Sequence, residues 1–203
     1  MNTQKENALG RQGLTIGVRP MIVMRMDVSD EILAEQSANG DGAAFSTLLA
    51  RHYDGLFRLA FRLTGARDQA EDLTQDICAA LPAKLSGFRG ESKFTTWLWR
   101  VAVNAAHDRR RRAATRARHA DGWGDWEVNR RAANTEQAEA VDWLSQTMRA
   151  LSTELRDTLA LVLDGATHAQ AAEVLDVSEG TISWRVSEAK KRLRALKDLE
   201  DQT

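Results

Sequence analysis

The chain has 203 residues, 43% of them hydrophobic and 28% charged, with only two Pro, one Tyr and one Cys. This length accommodates one large domain or two small ones with their own cores, and an Ala-, Leu- and Arg-rich composition disfavours β-rich folds. A formal net charge of −1 excludes attraction of the whole molecule to nucleic acid or anionic membrane, so any such binding must come from local patches.

Residues 1–26 lack helical periodicity and are read as a disordered tail. The apolar run "MIVM" (21–24) is far short of a signal-peptide core or a membrane span. In "AAFSTLLARHYDGLFRLAFRL" the residues Phe45, Leu48, Leu49, Leu56, Leu59, Ala60 and Leu63 recur at helical spacing. Gly65 is placed to end that amphipathic helix. Asp68 is the expected cap of a second helix, "QAEDLTQDICAALPAKL". Its Ala70, Leu73, Ile77 and Leu81 form an apolar stripe opposite Asp72, Gln75 and Asp76. After the glycine-containing loop "SGFRGES" comes "KFTTWLWRVAVNAAHDRRRR", with Phe94, Trp97, Leu98, Val101 and Ala105 expected inward. Thr96, Arg100, Asn104, His107 and Arg111 share one polar stripe on this helix, and Trp99 belongs to neither face. The run at 109–112 continues the stripe with guanidiniums, whose planar fork suits phosphate.

From 113 to 141 the periodicity fades and the charge turns from basic to acidic, as in "HADGWGDWEVN"; this segment is read as a linker. Helical spacing resumes with Leu144, Met148 and Leu151, then Leu155, Leu159, Val162 and Leu163 behind a cap at Ser152. In "AEVLDVSEGTISWRVSEAKKRLR", Thr167 caps a short helix ending near Leu175, and Ser178 caps another starting at Glu179. Small Ala172 at the crossing, with Val177, Ile182 and Val186 as shared core, predicts a helix-turn-helix. Asp176 occupies the turn position where a left-handed residue is needed, a conformation Asp tolerates. On the second helix Ile182, Val186, Ala189, Leu193 and Leu196 are expected inward. Ser183, Trp184, Ser187, Glu188, Lys190, Lys191 and Arg194 face out, and six Lys or Arg against one acid between Gly180 and Lys197 neutralise several phosphates. The expected fold is all-α: two small helical domains joined by a flexible linker, the C-terminal one a helix-turn-helix.

"LSTELRDTLALVLDGATHAQAAEVLDVSEGTISWRVSEAKKRLR" resembles, without a gap, the C-terminal domain of bacterial RNA polymerase sigma factors of the extracytoplasmic-function class. "GARDQAEDLTQDICAAL" resembles that family's polymerase-binding helix, and "FRGESKFTTWLWRVAVNAAHDRRRR" its promoter-melting segment. The resemblance runs from about Asp30 to Leu196. It implies sigma domain 2 at 27–112 and sigma domain 4 at 142–199 on either side of the linker at 113–141, and leaves the tail at 1–26 uncovered.

What the resemblance implies is a transcription initiation factor, not an enzyme, which docks on core RNA polymerase through the β′ clamp and β flap and selects promoter DNA. The docking surface would be Asp72, Leu73, Gln75 and Asp76, the polar three being the firmer assignment because Leu73 also lies on the apolar stripe. Phe88, Arg89 and Lys93 would catch an unstacked base of the −10 element, where each stacking contact is worth about 1–3 kcal/mol. Thr96, Arg100, Asn104, Arg111 and Arg112 would hold the non-template strand. At the −35 element Thr181, Ser183, Trp184, Arg185, Ser187, Glu188, Lys190 and Lys191 would enter the major groove. There Ser183 and Glu188 stand where the family is usually basic, and Trp184 where Ser is usual, so promoter choice should differ. Glu188 has the chemistry to accept from a cytosine amino group, and equally to pair with Arg185 or Arg192. The resemblance also implies an anti-sigma factor as regulator.

The four His (52, 107, 119, 168) make no pair at three- or four-residue spacing and join no ligand motif, so neither metal nor other cofactor is expected. A single Cys, Cys78, excludes a disulfide framework and a thiolate zinc cluster, and the expected location is the cytoplasm without membrane insertion. Two rival readings remain: a stand-alone helix-turn-helix regulator acting without polymerase, and a protein-interaction scaffold with incidental arginines. Neither explains "FRGESKFTTWLWR".

Overall fold

Capping chemistry sets most of the helix boundaries in the computed structural model, which describes residues 28–119 and 147–200. Helix α1, Asp30–Ala38, begins where the Ser29 hydroxyl accepts the Ile32 N–H at 3.4 Å. The sequence reading assigned no helix here, because its buried apolar residues are only Leu33 and Ala34, too few to set a period. Helix α2, Gly42–Thr64, is capped by the Asp41 carboxylate, which accepts from Ala43 and Ala44 at 2.8 and 3.0 Å. It stops at Gly65, whose φ of 70° turns the chain left-handed while its N–H returns to the Phe61 carbonyl.

Helix α3, Arg67–Leu85, starts earlier than expected: Ala66 is its N-cap without a side-chain bond, and Asp68 lies inside the first turn. The tight turn at Gly65 leaves no room for a separate capping residue. Asp68 instead places its charge beside the positive end of the helix. Pro82 interrupts the backbone ladder of α3, yet the helix runs another turn because Leu81 and Leu85 are buried. Helix α4, Phe94–His119, continues seven residues past the expected start of the linker.

Two acids of α1 tie the N-terminal bundle together. The Asp30 carboxylate takes Arg51 at 2.9 Å and lies 2.7 Å from His52 Nε2, both on α2. The Glu31 carboxylate accepts the Phe94 N–H at 3.2 Å, at the start of α4. Burial raises the Asp30 pKa, but its hydrogen bonds and charge contacts with Arg51 and His52 outweigh that and leave it lowered. Glu31 is lowered by backbone hydrogen bonds, that of Phe94 included.

In the C-terminal bundle, residues 147–150 form a helical turn before α5, Thr153–Leu163. Arg156 fastens the two by donating to the carbonyls of Met148, Arg149 and Leu151. Helix α6, His168–Leu175, carries a complete capping box between Thr167 and Gln170. Asp176 follows with φ 53°, the left-handed turn anticipated for it. Helix α7, Glu179–Glu200, opens with Ser178 accepting the Thr181 N–H at 3.1 Å. Met148, Leu155, Leu159, Ala171, Ala172, Val174, Ile182, Val186 and Ala189 form the core of this bundle. Leu193 and Leu196 are only half-buried, because α7 outruns the helices it packs on.

Helix α5 departs from the expected stripe. Leu163 is exposed, whereas Asp157, Thr158, Ala160 and Leu161 are buried with Leu155 and Leu159. The reason is that α5 packs against α7 on one side and α2 on the other, so it has two inner faces. The buried apolar residues of the two bundles consequently run together in one cluster. The fold is all-α, two helical bundles with a helix-turn-helix at the C-terminal end. Among the described residues no helix is long and apolar enough to cross a membrane.

Two measurements check this account. Asp176→Val, which forces a β-branched residue into the left-handed region, should destabilise the chain by about 1–2 kcal/mol in thermal unfolding, while Asp176→Gly is tolerated. Because the Asp30 and Glu31 pKa values are lowered in the fold, their stabilisation is present above the ordinary carboxylate range and lost as pH falls through their folded values. The acid unfolding midpoint should therefore move to higher pH in Asp30→Asn, read by far-UV circular dichroism.

Candidate nucleic-acid interface

Helix α7 presents one apolar side to its bundle and an unobstructed polar side to water. Ile182, Val186 and Ala189 are buried, whereas Ser183, Trp184, Ser187, Lys190, Lys191 and Arg194 are exposed. Trp184 is 63% exposed, an unusual position for the largest apolar side chain in a short bundle. Ser183 is tethered, its hydroxyl 3.0 Å from His168 Nδ1 on α6. Thr181 is half-buried, its hydroxyl 2.9 Å from that of Ser178, and Arg185 is half-buried as well. Of the two intrahelical partners open to Glu188, Arg192 is the one engaged, donating from Nε at 2.9 Å. Lys190 and Lys191 make no ion pair among the described residues.

The loop between α3 and α4 turns at Gly90, φ 69°, and leaves Arg89 and Lys93 exposed. Phe88 is half-buried, its ring in T-shaped contact with Phe94 at 5.7 Å and Trp97 at 5.5 Å, and His52 meets Phe94 in the same edge-to-face manner at 5.0 Å. These contacts hold the ring in a fixed orientation. Phe94 belongs to the core, as expected, and Trp97 packs half-buried against it.

The polar stripe of α4 divides. Asn104, Arg111 and Arg112 are exposed, with Arg111 paired to Asp108. Thr96 is not: it is 2% exposed, and its hydroxyl meets Gln170 of α6 at 3.3 Å. Arg100 donates to the Glu173 carboxylate at 2.9 Å. Trp99, which the sequence left unassigned, is buried and donates its indole N–H to Asp164 at 3.0 Å. Asp164 also receives Arg62 of α2 at 2.9 Å. His107 Nε2 lies 2.6 Å from Asp157, which takes Arg110 as well at 2.9 Å. Thr96, Arg100 and His107 of the expected polar stripe are thus engaged by the C-terminal bundle. Asp157, Asp164, Gln170 and Glu173 were not singled out from sequence, and Arg110 entered only as part of the run at 109–112; no local pattern marks these contacts, because the partners lie 47 to 102 positions apart.

The acidic face of α3 exposes Asp72, Gln75 and Asp76, but Leu73 is 0% exposed. Leu73 therefore lies outside any docking surface, since the stripe it shares with Ile77 holds α3 against α2. Arg109 reaches across from α4 to Asp72 at 2.6 Å and Asp76 at 3.0 Å. Within the run at 109–112, the first three arginines have acidic partners in the fold and Arg112 has none among the described residues. No cluster of three or more His, Cys, Asp or Glu able to hold a metal ion occurs among the described residues.

Comparison with known proteins gives the two halves the same assignment. Residues 48–116 match the family model for sigma-70 region 2, and residues 142–193 that for sigma-70 region 4. Over 174 residues the chain is 33% identical to the ECF RNA polymerase sigma factor SigM of Mycobacterium tuberculosis, covering 85% of this chain and 86% of that protein. Among solved structures it is similar to CnrH in complex with the cytosolic domain of CnrY, with a TM-score of 0.65, 27% identity and coverage of 84% and 97% of the two chains. It is equally similar, at TM-score 0.65 and 27% identity, to the sigma factor RpoE in complex with the anti-sigma factor NepR from Bartonella quintana, covering 76% and 96%. A basic helix-turn-helix behind a bundle with an aromatic loop and an arginine-rich helix, matched in both halves and in order, has one family to belong to: the chain is a member of the ECF sigma factors of RNA polymerase.

Proposed function

We propose that the chain directs core RNA polymerase to promoters through two DNA contacts, acting as a cytoplasmic, non-enzymatic initiation factor without metal or other cofactor. The observation that carries this reading is the outward face of α7, where Trp184, Ser187, Lys190, Lys191 and Arg194 stand exposed on a rigid helix-turn-helix. The N-terminal half of such a helix enters the major groove. Trp184 and Ser187 there meet base edges of the −35 element, and Lys190 and Lys191 meet phosphates. The Arg192 contact directs Glu188 along the helix surface and away from a readout role.

In the N-terminal bundle, residues 27–112, the half-buried Phe88 with Arg89 and Lys93 forms the platform for an unstacked −10 base. Strand separation costs stacking energy, and an aromatic ring already held at its edge by Phe94 and Trp97 loses little freedom on receiving a base. Asn104, Arg111 and Arg112 continue the contact along the strand. Asp72, Gln75 and Asp76 dock on the β′ clamp, and residues 142–199 on the β flap. The linker, placed at 113–141 from sequence and largely outside the described residues, allows the two contacts to be made together. Because the structurally similar CnrH and RpoE are held in complexes with the cytosolic domain of CnrY and the anti-sigma factor NepR, we assign this chain a regulator of the same class.

Run-off transcription with bacterial core polymerase and the promoter upstream of this protein's own gene tests the reading: a start-site-specific transcript should require both components. Specific DNA binding by the chain alone, with neither transcript nor core association, would establish the stand-alone regulator instead. On such a promoter, Lys190→Ala and Lys191→Ala should each reduce the slope of log affinity against log salt by about 1. Glu188→Ala should leave base preference across a −35 library unchanged.

A further inference from the structure

The outward face of α7 is short of free hydrogen-bonding groups in the stretch that leads the helix into a groove. Between Gly180 and Ala189, the Thr181 hydroxyl lies 2.9 Å from that of Ser178, and the Ser183 hydroxyl 3.0 Å from His168 Nδ1 on α6. The Glu188 carboxylate takes Arg192 at 2.9 Å, and Arg185 is half-buried. What remains turned to water is the Ser187 hydroxyl and the indole of Trp184, which is 63% exposed. A hydroxyl donates or accepts with equal ease and so discriminates poorly among bases. We propose that Trp184 is the specificity-determining residue of α7 and that it selects a thymine of the −35 element through the 5-methyl group.

The chemistry of the groove favours that partner. Base pairs present hydrogen-bonding atoms on their major-groove edges, and the thymine methyl is the apolar exception. Cytosine carries only a hydrogen at the same carbon. The purine edges present N7 with an oxygen or an amino group, and an indole face laid over them strips water from polar atoms without replacing the lost hydrogen bonds. Over a methyl, the same face buries apolar area on both sides. The indole is also a rigid plane that loses little freedom on contact.

The surroundings of Trp184 favour DNA over a protein partner. An exposed Trp suits a protein interface as well, but between Gly180 and Lys197 six Lys or Arg stand against one acid. Lys191 follows on the same side about 10 Å further along the helix, exposed and without an ion pair among the described residues. One stripe of α7 thus combines an apolar base contact with a cation placed for phosphate.

This inference rests on the promoter reading above and names the base that is selected. Promoters with a randomised −35 element, selected by the full chain with core polymerase, should be enriched in thymine at one position. Deoxyuridine at that position, which lacks only the methyl, should lower affinity by about threefold to fivefold, the factor that follows from burying one methyl. Trp184→Ser should lose both the thymine preference and the sensitivity to deoxyuridine, whereas Trp184→Phe should keep both in weaker form. A wild-type chain without thymine preference, or one that binds the deoxyuridine promoter as tightly as the thymine promoter, would overturn the assignment. So would a preference that survives Trp184→Ser, and if that variant also lost affinity for core polymerase, Trp184 would be a protein contact instead. If circular dichroism shows that Trp184→Ser has lost helix, the deoxyuridine series on the wild type and on Trp184→Phe decides. Should chain and core together select no promoter, the initiation-factor reading fails, and selection on the same library by the chain alone decides the thymine contact. Binding of no DNA in either form would overturn both.

Discussion

The carboxylate of Asp157, nearly out of water between Arg110 and His107, is the interaction around which the two halves of this chain are arranged. A buried ion pair repays its own desolvation only when every lone pair is served, and an unserved polar atom costs about 1–3 kcal/mol. Here one oxygen is served twice and the other not at all. The contact is specific in geometry and modest in net energy.

The rest of the architecture holds each bundle together within itself. The N-terminal bundle is tied internally by Asp30 and Glu31, which connect α1 to α2 and to the first turn of α4. The C-terminal bundle is tied by Arg156, by the Thr167–Gln170 capping box and by the left-handed Asp176. None of these ties joins the two bundles. Helix α5 bears the cost of the arrangement, because one face serves α7 and another serves α2, which explains why Asp157 and Thr158 appear among its buried residues.

Charge is distributed in the same sense. A net charge of −1 hides a segregation in which arginines of α4 are neutralised locally, Arg109 by Asp72 and Asp76, Arg110 by Asp157, and Arg111 by Asp108. Among the described residues Lys190 and Lys191 of α7, Arg89 and Lys93 of the Phe88 loop and Arg112 of α4 make no ion pair. The surface pairs, those of Arg109 and Arg111, contribute little to stability.

Local chemistry made much of this legible in sequence. The cap at Thr167, the stop at Gly65, the left-handed Asp176 and the inward run Ile182, Val186 and Ala189 follow from rules acting over one or two helical turns, and the fold has each of them. Helix α1 escaped notice because two buried residues set no period, and Asp68 was misplaced because the Gly65 turn shortened the approach to α3. Sequence determined the helical class, the helix-turn-helix and which side of α7 faces water, since amphipathic periodicity encodes a buried face whatever lies against it. Only tertiary structure decided that Thr96 and Arg100 meet α6, that Trp99 is buried and that Asp157 is hidden. A helix records in its sequence that a face is covered, but pairings between residues 50 to 100 positions apart depend on how whole helices pack, and leave no local period to read.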